Sequence, residues 1–262
     1  MSAPLLMGFQ NWDDHSRAEH SGARDYAANF LNSVDKDAII FTYGDNDTYP
    51  LWYAQEVENI RPDVRVVNLS LIAVDWYIDL LRYKMNDSPP IKLGLSADKL
   101  RGNKRNQVLY TRQPDGNCAN DQPVSLDQFM RFIEADNPVE LRGGTFLATQ
   151  YQTCNVNINV DPARAAQTPW LIPAGEQAVN RIPITLNDRR LLKDEIAILD
   201  IINSNLYERP TYWAVTCQRS KLLGLDNYVD LEGLALKLTV TRNQAGDPQL
   251  GLIGSGGINE EK

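Results

Sequence analysis

The chain has 262 residues, of which 43% are hydrophobic and 23% are charged, values that are ordinary for a globular protein. This composition excludes intrinsic disorder, a disulfide scaffold and a collagen-like fibre, and a chain of this length can bury a core without a metal or disulfide staple. The formal net charge of −8 argues against nucleic acid as the main partner, because phosphate binding requires a basic surface. The basic stretch 99–112 is interpreted as a solvated loop.

The N-terminal residues differ from the rest of the chain. The sequence contains no run of 18 or more apolar residues that could span a membrane, yet residues 2–9 are apolar and uncharged and give way to polar residues around a tryptophan. Such a boundary is typical of a membrane interface. We interpret residues 1–10 as the end of a preceding membrane segment or a tail, residues 11–242 as a single soluble α/β domain, and residues 243–262 as a flexible tail.

In the first half of the chain, helical periods alternate with short β-branched and aromatic runs. The predicted elements are, in order, a helix over 16–34, a strand over 38–43, a turn over 44–47, a helix over 51–59, a strand over 64–69 and a helix over 76–85 capped by Asp75. The spacing of the two strands allows a βαβ crossover. The prediction is therefore an α/β fold with a Rossmann-like, mostly parallel sheet, helices on both faces and a βαβα core over about 38–85.

The second half predicts additional short strands around two helices. In order, these are a loop over 87–106, a strand over 107–111, a helix from the cap Ser125 through Ile133, strands over 145–150, 156–160 and 181–186, a helix over 191–202, and strands over 211–216 and 234–240. The second of these helices has one apolar stripe, formed by Leu192, Ile196, Leu199 and Ile202.

Polar side chains follow the first predicted strand and the second, at Asp45, Asn46, Asp47, Thr48 and Asp75. If the two strands are parallel, these side chains share the sheet edge at which α/β proteins bind ligands. Asp45, Asp47 and Asp75 are candidate ligands for Ca²⁺ or Mg²⁺, which take oxygen ligands. The cluster is equally suited to sugar hydroxyls, with Trp52 or Trp76 as an apolar face. The same residue types cap helices and close turns, so a structural role also stays open.

A second polar cluster precedes the first helix and contains Asp13, Asp14, His15 and Arg17. A histidine flanked by carboxylates is suited to general-base chemistry, although such groups more often cap a helix. The chain has two histidines and no HExxH, dinucleotide, P-loop or GxSxG motif, which argues against a zinc protease, the common nucleotide-binding folds and an α/β-hydrolase. The three cysteines form no CxxC pair, leave at least one free thiol and are interpreted as small buried residues.

Several long motifs resemble a known family. They are NWDDH at 11–15, ARDYA at 23–27, FTYGDNDTYPLWY at 41–53, QEVE at 55–58, DVRVVNLSL at 63–71, DWYI at 75–78, LDI at 199–201, RPTYWAVT at 209–216, Gly224-Leu225 with Tyr228, and EGLA at 232–235. Over residues 10–240 the chain resembles the domain-of-unknown-function 2723 family, which comprises Bacteroidetes multi-pass membrane proteins similar to protein O-mannosyltransferases. Residues 15–21 depart from the family pattern, which weakens a catalytic reading of the 13–17 cluster.

The resemblance implies an extracytoplasmic accessory domain that follows a membrane domain, at the periplasmic face of the inner membrane. Its implied partners are the membrane domain of the same polypeptide and an acceptor protein or glycan, with no nucleic acid. No catalytic residue is carried over, because in such enzymes the acidic catalytic residue lies in a loop between early membrane helices. No cofactor is firmly implied beyond the Ca²⁺ or Mg²⁺ candidates. The alternatives are a free-standing metal-assisted hydrolase that uses the Asp cluster, and a non-catalytic interaction scaffold.

Overall fold

A computed structural model of the protein describes residues 2–11, 20–110, 122–136, 138–140, 147–151, 153–186 and 190–242, which form a mixed α/β fold. The helices in these residues are α1 Ser2–Gln10, α2 Gly22–Asn32, α3 Asp45–Glu56, α4 Asp75–Leu80, α5 Ala97–Leu100, α6 Leu126–Glu134, α7 Pro162–Ala166 and α8 Lys193–Asn205. Two short 3₁₀ helices, Arg219–Leu222 and Leu225–Tyr228, follow α8. In the part of the chain that is described, no helix has the length and apolar character needed to cross a membrane.

The strands form three sheets. They are β1 Ile39–Thr42, β2 Arg65–Asn68, β3 Gln107–Tyr110, β4 Val124–Ser125, β5 Pro138–Glu140, β6 Leu147–Tyr151, β7 Asn155–Asn159, β8 Arg181–Thr185, β9 Arg190–Leu192, β10 Thr211–Ala214, β11 Val229–Glu232 and β12 Ala235–Leu238. The central sheet has the order β11-β12-β10-β1-β2, and the two smaller sheets have the orders β5-β6-β3-β9 and β4-β7-β8. The additional short strands predicted for the second half are therefore confirmed.

The central sheet is mixed. Strand β1 runs parallel to β2 and β10, whereas β12 is antiparallel to both β10 and β11. The predicted parallel pairing of β1 with β2 is confirmed, but the edge of the sheet is an antiparallel hairpin closed by Gly233, whose φ of 57° suits a tight turn. The Rossmann-like description stays a prediction.

Helices pack on both faces of the central sheet, as predicted. Along β1 the side chains alternate between faces. Ile40 packs in one buried cluster with Phe30 of α2 and Leu51 of α3. Ile39 packs in the other, with Ile78 of α4 and Ile198 of α8. This arrangement leaves the two ends of the parallel strands, rather than the faces of the sheet, as places where polar groups can gather.

Of the two helices predicted for the second half, α6 has the predicted cap and α8 begins later than predicted. The predicted cap of α6 is confirmed, since the Gln128 N–H donates to Ser125 Oγ at 3.2 Å and the Ser125 N–H donates to Gln128 Oε1 at 3.3 Å. Helix α8 begins two residues later than predicted, because Leu191 and Leu192 pair with β3 as part of β9. Leu192 is consequently exposed and does not belong to an apolar helical stripe.

Three predictions in the first half are corrected. The predicted turn over 44–47 is the first turn of α3, which begins at Asp45 and includes Pro50. Asp75 is the first residue of α4 rather than its cap, because Val74 occupies the cap position and the Asp75 side chain is bonded elsewhere. Helix α4 also ends early, at Leu80, since the next residues form i→i+3 turns. The structure also contains elements that the sequence did not predict, namely α5, α7, β4, β5, β9, β11 and the two 3₁₀ helices.

Candidate functional site

The carboxyl ends of β1, β2 and β10 form one edge of the central sheet, because these three strands are parallel. Hydrogen bonds join the segments that follow β1 and β2. The Gly44 N–H donates to Ser70 Oγ at 3.2 Å, and Asn68 Nδ2 donates to the Gly44 carbonyl at 3.4 Å. The Ser70 N–H in turn donates to Asn68 Oδ1 at 2.8 Å. The edge that the sequence predicted is therefore present and is held by hydrogen bonds between its own side chains and backbone.

Thr48 has a structural role at this edge. Its side chain is fully buried, and its Oγ1 donates to the Gly44 carbonyl at 2.6 Å and lies 2.7 Å from Thr42 Oγ1. Gly44 has a φ of 85°, and a Cβ there would meet no atom within 4 Å. Glycine is therefore required for the backbone conformation and not for lack of space. Together these contacts set the direction in which α3 leaves the sheet.

Asp47 joins three parts of the chain. Its carboxylate is 6% exposed and accepts hydrogen bonds from the Tyr26 hydroxyl at 2.9 Å and from Thr216 Oγ1. Burial and the Asp47 carboxylate together raise the pKa of Tyr26 to about 12. Burial, with a smaller effect of Asp47, also raises the pKa of the neighbouring Cys217 thiol to about 12, so this thiol is not a nucleophile at neutral pH.

Asp75 belongs to a different network. Its Oδ2 accepts from the Gly102 N–H at 2.6 Å, and its Oδ1 lies 3.2 Å from Lys193 Nζ. The Gly102 N–H and the Lys193 ammonium lower the pKa of Asp75. Lys193 is only 2% exposed and also donates to the carbonyls of Gly102, at 3.0 Å, and Ala73, at 3.4 Å. This lysine, which the sequence analysis missed, ties α8 to the segment after β2.

The three predicted metal ligands thus lie in different surroundings. Asp47 and Asp75 are engaged in separate networks, and Asp45 is exposed at the start of α3. Within the described ranges, no group of three or more His, Cys, Asp or Glu side chains is placed to hold a metal ion. Asp45 and its neighbour Asn46 are both exposed, and neither side chain has a hydrogen-bond partner among the described residues. They differ in this from every other polar residue predicted for the edge.

An aromatic strip, defined as Tyr49, Trp52, Tyr77 and Trp76, joins α3 to α4 beside this edge. The ring centroids are 5.8 Å apart for Tyr49 and Trp52, 6.5 Å for Trp52 and Tyr77, and 5.7 Å for Tyr77 and Trp76. Tyr77 is buried and its hydroxyl oxygen accepts from the Asn68 N–H at 2.7 Å. Trp76 and Tyr49 are 62% and 58% exposed. Trp52 and Trp76 were predicted from the sequence, whereas Tyr49 was not. The helical spacing of Tyr49 from Trp52 was the signal that could have identified it.

The other predicted cluster, at Asp13, Asp14, His15 and Arg17, lies outside the described residues. The cysteines correct an expectation, because Cys154 is disulfide-bonded rather than a reduced buried residue. The predicted free thiol is present at Cys217.

Comparison with known proteins identifies relatives of the chain. A model of the family described as TMEM260-associated domain 2 matches residues 23–259. The mouse protein named "Protein O-mannosyl-transferase TMEM260" is 31% identical over 81 residues, which cover 30% of this chain and 12% of the mouse protein. No solved structure matches the chain significantly. The relationship to an O-mannosyltransferase is thereby supported, while the domain-of-unknown-function 2723 assignment and a Bacteroidetes origin stay predictions.

Proposed function

The chain belongs to the TMEM260-associated domain 2 family, and on that premise we propose that it is a non-catalytic accessory domain of a membrane glycosyltransferase-like protein. The observation that carries the proposal is the family match over residues 23–259, together with the similarity to a mouse protein named as an O-mannosyl-transferase. In this role the domain holds an acceptor protein or glycan near a membrane-embedded active site that belongs to the same polypeptide.

The disulfide supports a location outside the cytoplasm. Cys154 is disulfide-bonded. Disulfides form and persist in oxidising compartments and are rare in reducing ones. The extracytoplasmic, periplasmic location is therefore part of the proposal.

Helix α1 supports proximity to a membrane. All nine of its residues are exposed, none is charged, and Phe9 and Leu5 are 87% and 76% exposed. A helix that lies flat on a membrane has one charged face, whereas a helix that is apolar all round is normally surrounded by lipid or protein. The proposal assigns lipid as the surroundings of α1, as the end of a membrane segment.

The carboxyl edge of the central sheet is the proposed acceptor surface. It combines exposed aromatic rings with Asp45 and Asn46, whose side-chain polar atoms make no hydrogen bond within the described part of the fold. Binding surfaces characteristically pair apolar area with a few polar groups that fix orientation. The buried carboxylate of Asp47 and the paired one of Asp75 instead hold this surface in shape.

Two experiments test the proposal. The reading frame that precedes this segment is expected to encode several apolar runs of about 20 residues, each long enough to span a membrane. A frame without such runs would refute the membrane role. Protein-linked glycans are then profiled in cells whose full-length protein lacks residues 11–242, and separately in cells that carry Trp76→Ala. We expect both to reduce glycosylation while the protein stays at normal abundance in the membrane. Unchanged glycosylation in the deletion strain would contradict the accessory role.

A further inference from the structure

Exposed apolar side chains are concentrated where the parallel strands of the central sheet end. Tyr43 follows β1, Val74 and Trp76 follow β2, and Val215 follows β10, and all four are exposed. Leu192, also exposed, precedes Lys193, which contacts Asp75 at the same edge. Soluble surfaces seldom gather large apolar side chains in one place unless they bind something. This edge is therefore the strongest candidate in the described residues for a ligand-binding surface.

The aromatic strip is rigid before any ligand arrives. Its centre is fixed, because Tyr77 is buried and bonded to the Asn68 N–H, and Trp52 packs between Tyr77 and Tyr49. Only the two ends, Tyr49 and Trp76, present most of their rings to solvent. Rings that are already held in place lose little conformational entropy on binding, which favours recognition of a small, weakly bound ligand.

Unused hydrogen-bonding groups lie beside the strip. Asp45 precedes Tyr49 by four residues on α3, so the two side chains are neighbours on one helical face. Asn46 is the next residue. Both are exposed, and neither side chain is hydrogen-bonded within the described residues. The carboxylate accepts hydrogen bonds, and the amide both donates and accepts. The surface can therefore pair with several hydroxyl groups at once.

The charge of the edge selects among ligands. Two nearby cations are paired, Lys193 with Asp75 at 3.2 Å and Arg101 with Asp79 at 2.8 Å. Asp45 has no such partner in the described residues, so the unpaired charge is negative. An anionic ligand, such as a sugar phosphate or an acidic peptide, would be repelled. A neutral ligand that has an apolar face for the rings and several hydroxyl groups avoids this repulsion and can use the rings, the carboxylate and the amide together.

We propose that the aromatic strip, together with Asp45 and Asn46, binds a neutral hexose unit of a glycan. The C–H groups on one face of a pyranose ring contact Trp76 or Tyr49, while hydroxyl groups on the rim donate to Asp45 and exchange hydrogen bonds with Asn46. The inference rests on the proposed function, because it names the ligand class of the acceptor surface.

Saturation-transfer NMR on the whole chain tests this, with methyl α-D-mannopyranoside as the neutral probe, mannose 6-phosphate as the charged probe and an uncharged Ser/Thr-rich peptide as the polypeptide probe. We expect transfer to the ring C–H protons of the neutral mannoside and weaker transfer to the phosphate. Of Trp76→Ala and Tyr49→Ala, the variant that removes the ring under the sugar is expected to weaken mannoside binding roughly tenfold, equivalent to about 1.4 kcal/mol of lost contact. The matched control is Tyr83→Ala, since Tyr83 is equally exposed at 66% but lies outside the strip.

Several outcomes overturn the inference. One is the absence of transfer to the neutral mannoside. Another is mannoside binding by both the Trp76→Ala and the Tyr49→Ala proteins that equals binding by the Tyr83→Ala protein. Thermal unfolding of each variant ensures that a loss of binding is not a loss of folding, and Tyr49→Ala provides an independent variant. If the peptide binds in a Trp76-dependent way and the mannoside does not, the hexose inference is wrong and the accessory function stands. Unchanged glycosylation after deletion of the segment refutes the accessory function whatever the NMR result.

Discussion

Asp200 couples the stability of this protein to pH. It lies on α8, is 1% exposed, and its carboxylate accepts the Gly94 N–H at 2.9 Å and the Leu95 N–H at 3.1 Å. Burial raises the pKa of Asp200 to about 6, against the lowering effect of these two hydrogen bonds. A carboxyl whose pKa is raised on folding contributes stability that is present below its unfolded pKa and is lost as the pH rises through its folded pKa.

The size of this effect follows from the two pKa values. A carboxyl near pKa 4 in the unfolded chain and about 6 in the folded one loses about 3 kcal/mol of stabilisation as the pH rises from about 4 to about 7. Asp200→Asn removes this titration. It also turns an amide NH₂ toward one of the two backbone N–H groups, which costs about 1–3 kcal/mol at every pH.

The assay is urea unfolding of the native and Asp200→Asn proteins at several pH values between about 4.5 and 7.5, with the difference in unfolding free energy as the readout. Titrations of other groups cancel in this difference. We expect the unfolding free energy of the native protein to exceed that of the Asp200→Asn protein most at low pH, and this difference to shrink as the pH rises. Asn205→Ala is the matched control, because Asn205 lies on the same helix and bonds Lys92 of the same segment with a neutral amide. The unfolding free energy lost in the Asn205→Ala protein should not vary with pH. A difference for Asp200→Asn that is independent of pH would refute the reasoning.

Three further substitutions probe other features. Gly44→Ala should lower the unfolding free energy by about 1–3 kcal/mol, because its φ of 85° strains an L-residue, whereas Gly8→Ala in α1 should be neutral or slightly stabilising in the same urea assay. Lys193→Met should lower the unfolding free energy by about 1–3 kcal/mol, because two carbonyls lose their donor. The control Lys36→Met changes an exposed lysine and should leave the unfolding free energy unchanged. Equal unfolding free energies for the two variants would mean that the Lys193 contacts add no stability. Phe9→Asp should abolish co-sedimentation with phosphatidylcholine vesicles while Tyr83→Asp leaves it intact, and binding that survives Phe9→Asp would remove lipid as the surroundings of α1.

Local patterns were sufficient for the βαβα part of the fold. The alternating faces of β1, the parallel partner β2 and the helix between them follow from periods and turn residues that lie within about thirty residues of each other. The capping box of Ser125 and Gln128 is also a local signal. The exact starts of helices were less predictable, since Leu192 fits a helical stripe but pairs with Gln107 across a sheet.

The partners of the predicted polar residues were out of reach of such reasoning. Asp47 is hydrogen-bonded to Thr216, which is 169 residues away in the sequence, and Asp75 is hydrogen-bonded to Lys193, which is 118 residues away. No local pattern distinguishes a carboxylate that will be paired from one that stays free. The basic stretch 99–112 shows the same limit for a cation. Arg105 was expected in a solvated loop, but it is 3% exposed and donates to the carbonyls of Ile133 and Glu134.

Pairing divides the predicted site into two sets of residues with different experimental signatures. Asp47 and Asp75 accept hydrogen bonds from other segments, and Thr48 donates one to the Gly44 carbonyl. Removing any of these side chains takes a partner from another group, so the first effect should be lost stability. Asp45 and Asn46 satisfy no described partner, and the outer ring of Trp76 is largely in solvent, so removing these side chains costs the fold little. A function of this edge must therefore depend on the second set. A substitution there that lowers binding without lowering the unfolding midpoint reports on the ligand, whereas no substitution in the first set can do so cleanly.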